Sequence, residues 1–77
     1  MTPEEFQEAL ESLGLVETER GFQLTARGLQ KGTQRAHALA KRGDRECAAI
    51  LALGADHPRR AELALHVQID LFSRSGI

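Results

Sequence analysis

Seventy-seven residues with ten Lys or Arg, eleven Asp or Glu and a formal net charge of −1 make one domain, near the lower size limit for a core without staples. An apolar fraction of 42% against a charged fraction of 27% excludes a disordered chain, and the single cysteine excludes an internal disulfide. No apolar run approaches the ~18 residues of a membrane span, and the opening MTPEEFQEAL is acidic rather than basic, so neither a membrane helix nor a signal peptide is expected.

The first predicted element is a helix over 3–13. Thr2 is suited to cap it, Pro3 to its first position, and Glu5 stands three residues after Thr2 as in a capping box. Phe6, Ala9, Leu10 and Leu13 fall on one face and Glu4, Glu5, Glu8 and Glu11 fill the rest, with Gly14 placed as the C-cap. A hairpin follows over 15–25. Alternation puts Leu15 and Val16 on opposite sides, pairs Phe22 with Leu24 on one face, and leaves Gly21 for the turn.

Thr25 then caps a predicted helix over 26–42. Ala26, Leu29, Ala36, Leu39 and Ala40 gather in one arc, and Arg27, Lys31, Arg35, Lys41 and Arg42 in the opposite one. Gly28 and Gly32 each weaken this helix by roughly 1 kcal/mol relative to Ala, which suits a close approach by another backbone. Asp44 caps a third helix over 45–54, apolar nearly all round after its first turn; such a helix is expected at the centre of the domain or of a dimer. Asp56 is the expected cap of a last helix over 57–73, with Ala61, Ala64, Leu65, Ile69, Leu71 and Phe72 on one side and Gln68 the polar intruder. The alternation LHVQIDL over 65–71 also admits a strand; the helical projection is preferred.

The segment EALESLGLVETERGFQLTARGLQKG resembles the back half of winged-helix regulators of the MarR and PadR kinds, and the C-terminal domains of some phage antirepressors. The matching residues, within 6–32, are Leu13, Gly14, Leu15 and Val16, then Arg20 and Gly21, then Leu24, Thr25, Arg27 and Gly28. The resemblance implies a wing at the hairpin, helices behind it that form a dimer interface, and a phage or mobile-element origin. The helix in the recognition position departs from the pattern: it carries four carboxylates and no base, and five residues precede Phe6 where such a domain has two further helices. Carboxylates repel the phosphates from which duplex binding draws its affinity, so base reading by this helix is not expected.

Charge is segregated along the chain. Residues 1–19 hold six Glu and no base, whereas residues 20–45 hold seven bases against Asp44 alone. One reading of the basic block is a phosphate-contacting surface made of Arg20, Arg27, Lys31, Arg35, Lys41 and Arg42; the other is a solvated helix face. Without aromatics to stack on bases, single-strand recognition is not expected. No histidine stands at i,i+3 or i,i+4 to another or to Cys47, so neither a metal nor a cofactor is expected. Burial in an apolar helix leaves Cys47 unreactive, and no catalytic constellation is visible.

The sequence therefore predicts an α+β domain, mostly α, of helix, β-hairpin and three helices, with a winged-helix-like start and a helical C-terminal dimerisation region. The expected function is a small non-enzymatic cytoplasmic regulatory or adaptor module acting by protein–protein contact. Glu4, Glu8 and Glu11 on the acidic helix, and Ile50, Leu65, Ile69 and Phe72 on the apolar C-terminal surface, are the expected contacts for a protein partner or a homodimer. The alternative is a DNA-binding transcriptional regulator that uses the basic helix and wing.

Overall fold

Helix, hairpin and three helices follow one another in the expected order. A computed structural model, describing residues 2–74, contains α1 (Pro3–Leu13), β1 (Leu15–Thr18), β2 (Gly21–Leu24), α2 (Ala26–Lys41), α3 (Arg45–Leu51) and α4 (Pro58–Arg74). The two strands form an antiparallel hairpin with Leu15 opposite Leu24 and Glu17 opposite Phe22. Residues 65–71 lie within α4 and are helical.

Local chemistry sets most of the boundaries. Thr2 Oγ1 accepts the Glu5 N–H at 3.1 Å, and its hydroxyl donates to the Glu5 carboxylate at 3.2 Å. Gly14, at φ 74°, ends α1 in the left-handed region that a side chain disfavours. Its carbonyl accepts the Thr25 N–H at 2.9 Å, and Thr25 Oγ1 caps α2 by accepting from Gly28 N at 3.2 Å. A Cβ on Gly28 would collide with the Gly14 carbonyl, so the glycine pair locks the end of α1 to the start of α2.

Three predicted helices change their bounds, and the hairpin closes at Leu24 rather than 25. The second helix ends at Lys41 rather than 42, where Gly43 and Asp44 donate to the Ala40 and Leu39 carbonyls at 3.0 and 3.1 Å, a Schellman turn. The third ends at Leu51 rather than 54, closed by Leu53 donating to the Ile50 carbonyl. The last runs from 58 to 74 rather than 57 to 73, and Asp56 is not its cap. With Pro58 as the first helical residue, the cap position falls to His57, whose Nδ1 accepts the Arg59 N–H at 3.2 Å.

Two apolar clusters lie along a molecule with extents of 39 × 24 × 17 Å. At the hairpin end, Leu10, Leu15 and Phe72 are buried, with Phe6, Leu13, Phe22, Leu24, Leu65 and Ile69 packed on them. Phe72 makes edge-to-face contacts with Phe6 and Phe22, at centroid distances of 5.3 and 5.9 Å, the favoured geometry for aromatic pairs. At the other end, Ala36, Cys47, Ile50, Leu63 and Val67 form an aliphatic cluster with Leu39, Ala40 and Leu51.

Within the domain the central helix is α4, not α3, which overturns the first of the two places expected for α3. Seventeen residues let α4 reach both clusters and touch α1, β2, α2 and α3; the seven-residue α3 lies at the edge and buries only Cys47 and Ile50. The seam of α4 with α2 keeps part of the predicted faces, Ala36 on α2 and Ala64, Gln68 and Phe72 on α4, and is rotated towards the glycines of α2. On α2, Gly28, Gly32 and Ala36 form the buried line, at i, i+4 and i+8, while Ala26 and Leu29 are exposed. A Cβ on Gly32 would lie 2.7 Å from the Ala64 carbonyl oxygen, so the backbones approach along the glycines and the leucine is excluded. On α4, Leu63, Ala64, Val67, Gln68 and Phe72 are buried and Ala61 is exposed. The Gln68 amide spans the clusters, donating to the Leu13 carbonyl at 2.7 Å.

Candidate functional site, an open helix face beside a charged groove

The third helix contains the sequence RECAAIL, and its two sides fare differently. Cys47, Ile50 and Leu51 face the aliphatic cluster. Ala48 and Ala49, together with Ala52 and Leu53 in the turn that follows, are exposed, Leu53 by 46%. After its charged first turn α3 is apolar all round, and such a stretch normally has neighbours on every side; within this chain they lie on the side of Cys47, Ile50 and Leu51.

Beside α3 runs a groove of about 460 Å³ between α2, α3 and α4, within the ~300–1,000 Å³ common for ligand sites. Leu39, Cys47, Ile50, Leu63 and Val67 floor it. Its walls follow from helical spacing: α2 contributes Arg35, four residues before Leu39, and α4 contributes Glu62, His66 and Asp70 at i, i+4 and i+8, with Arg59 a turn earlier. Asp44 and Glu46 close the α3 side. The Asp44 carboxylate is held in place as the cap of α3, accepting the Cys47 N–H at 3.0 Å. Arg60 fastens the far end of α3 by donating to the Leu51 carbonyl at 3.3 Å.

The walls carry four carboxylates, two guanidiniums and the His66 imidazole. Asp70 also pairs with Arg74 at 3.1 Å, both side chains more than half exposed, a pair worth about 0–1 kcal/mol and readily exchanged. Burial pushes the Cys47 thiol above its usual range, and the nearby Asp44 and Glu46 charges push it the same way. It is a floor residue held in its neutral form.

Of the six residues of the expected basic surface, Arg27, Lys31 and Arg35 follow one another at i, i+4 and i+8 along α2. Arg20 is exposed at the hairpin turn, with its N–H on Thr18 Oγ1 at 3.2 Å. Arg27, Lys41 and Arg42 are exposed along α2 and just beyond it. The Lys31 ammonium donates to the Ser12 carbonyl at 2.7 Å, in the last turn of α1, where a cation complements the helix dipole. Arg35 turns into the groove.

Glu4, Glu8 and Glu11 are exposed along α1. The apolar residues expected to face a partner do not form a surface: Ile50 and Phe72 are buried in separate clusters, and Leu65 and Ile69 pack on the second of these. Because α4 is the central helix, its apolar side is consumed within the chain. Sequence reasoning missed the exposed alanines of α3 and the wall residues Glu62, His66 and Asp70. The i, i+4, i+8 spacing of those three, one residue before Leu63 and Val67, was the signal that could have found them.

The residues that carry the winged-helix resemblance have local structural roles. Gly14 ends α1, Gly21 follows the hairpin turn at φ 102°, Thr25 caps α2, and Gly28 admits the Gly14 backbone. Among the described residues, no helix is long and apolar enough to cross a membrane. No protein-family model, curated protein or solved structure matches the chain.

Proposed function

We propose that this chain is a small non-enzymatic adaptor or regulatory module that acts by protein–protein contact, with α3 and the adjoining groove as the contact surface. One observation carries the reading: beside Arg45 and Glu46, the exposed side of α3 and of the turn after it is made of Ala48, Ala49, Ala52 and Leu53. Leaving that area in water forgoes about 25 cal/mol per Å², which a partner's apolar side chains recover on docking. The groove gives the same partner a depression of defined charge in which to fix its register. The acidic outer face of α1 does not belong to this site.

A second reading, duplex DNA binding, rests on the exposure of Arg20, Arg27, Lys41 and Arg42. One pair of experiments separates the two. Random peptides displayed for selection are expected to yield sequences that bind the wild-type protein and fail on a variant with Ala49→Gln and Ala52→Gln, both at exposed positions. Random duplex DNA is expected to show no binding at about 50 mM salt. Duplex binding that falls steeply with salt and is lost in Arg27→Glu with Lys41→Glu, alongside an empty peptide selection, replaces the adaptor reading with the nucleic-acid one.

A further inference from the structure

Resting on that interaction reading, we infer that the occupant of α3 and its groove is an amphipathic segment of a different protein, with Lys or Arg flanking its apolar anchors. The floor, from Leu39 and Cys47 to Leu63 and Val67, is apolar and takes the anchors. The walls take the flanks, because Asp44, Glu46, Glu62 and Asp70 outnumber Arg35 and Arg59.

The distribution of charge also orients the segment. Lys41, Arg42 and Arg45 stand at the turn between α2 and α3, outside the groove lining, and make that end less acidic. Glu62 and Asp70 lie on the α4 wall, two turns apart. The segment's bases therefore lie along α4, where one of them replaces Arg74 on Asp70. Its apolar side lies over α3, where the small side chains of Ala48, Ala49 and Ala52 permit a close backbone approach. This is the arrangement of an amphipathic helix in a groove.

A second copy of the chain fits less well. A two-fold axis through α3 sets the same surface against itself, which brings the acidic walls of the two copies together at a cost in like-charge repulsion. Docking of the basic side of α2 from one copy into the groove of another is head-to-tail, and such a contact does not close unless the rotation happens to form a ring.

Three short helical peptides with one apolar stripe, flanked by Lys, Gln or Glu, test the inference by titration into the ¹⁵N-labelled full chain at low and high salt. The Lys peptide is expected to shift amides of α3 and of residues 62–70, and to bind about tenfold tighter than the Gln peptide, a difference of about 1.4 kcal/mol. High salt and the variant Glu62→Gln with Asp70→Asn are each expected to remove that advantage. Equal binding of the Lys and Gln peptides overturns the cationic occupant and leaves the interaction module standing. Failure of all three to shift these amides overturns both. A Lys peptide that shifts only α1 overturns the inference by placing the basic partner on Glu4, Glu8 and Glu11. Concentration-dependent dimerisation in sedimentation, lost in Ala49→Gln with Ala52→Gln, makes a second copy the occupant and overturns it as well.

Discussion

The hairpin end and the α3 end of the molecule share one helix and differ in almost everything else. At the hairpin end, three phenylalanines, the only aromatic residues of the chain, close around Leu10 and Leu15. Capping by Thr2, Gly14 and Thr25 leaves the backbone there well satisfied. At the α3 end, an aliphatic cluster built on Ala36, Cys47 and Ile50 opens onto a groove and carries an exposed alanine face. In a chain this small the aromatic cluster holds the fold; Val16 of the hairpin and Leu29 early in α2 are exposed as single residues, whereas the α3 end combines a groove with a run of exposed small apolar side chains. The contrast assigns stability to one end and contact to the other.

The largest effect that tests this contrast is expected from Phe72→Ala. The substitution removes both edge-to-face contacts and leaves a cavity inside a closed cluster, at a cost of about 3–5 kcal/mol. Against the ~5–15 kcal/mol typical of a whole domain that is a major loss, visible as a fall in the urea midpoint. Ile50→Ala is expected to cost less, about 2 kcal/mol at the low end of such truncations, because Ile50 borders the groove and water reaches the space it vacates. An Ile50→Ala loss equal to that of Phe72→Ala breaks the contrast.

Gln68→Leu tests the junction of the two ends. It strands the part-buried Leu13 carbonyl and is expected to cost about 1–3 kcal/mol in the same titration, whereas Gln68→Glu, which retains an acceptor where a donor is needed, is expected to cost at least as much. A neutral result for Gln68→Leu means that the carbonyl finds another donor.

The smallest effect concerns Cys47. Its thiol is held above the usual range by burial and by Asp44 and Glu46, so the folded protein keeps its proton at pH values where the unfolded chain has lost it. Stability is then unaffected below the ordinary thiol value and declines as pH rises from there towards the raised one. In Cys47→Ser that decline is expected to vanish. Alkylation of the wild-type thiol at neutral pH is expected to be much slower in native protein than in urea, and equal rates remove Cys47 from the groove floor.

Much of the local structure was legible in the sequence, because caps and hairpin turns depend on near neighbours. Thr2, Gly14, Thr25 and Asp44 act where their chemistry predicts. His57 took the cap expected of Asp56 because Pro58 fixed the helix start one residue later. Long-range packing was less legible. Periodicity placed Leu29 on the buried face of α2, but the seam was decided by how closely Ala64 could approach Gly32, a fact about two helices together. The same holds for the site. An apolar α3 reads as a central helix, and only the competition with the longer α4 shows that it lies at the edge. Glu62, His66 and Asp70 become a groove wall only once α3 and α2 stand opposite them.

The division of labour between the two ends is tested most directly by mapping a bound peptide, taken from the display selection, onto the amide spectrum of the full chain. The account predicts shifts concentrated in residues 45–53 and 62–70, with residues 3–24 unmoved. Shifts concentrated in α1 and the hairpin, with α3 silent, would contradict it.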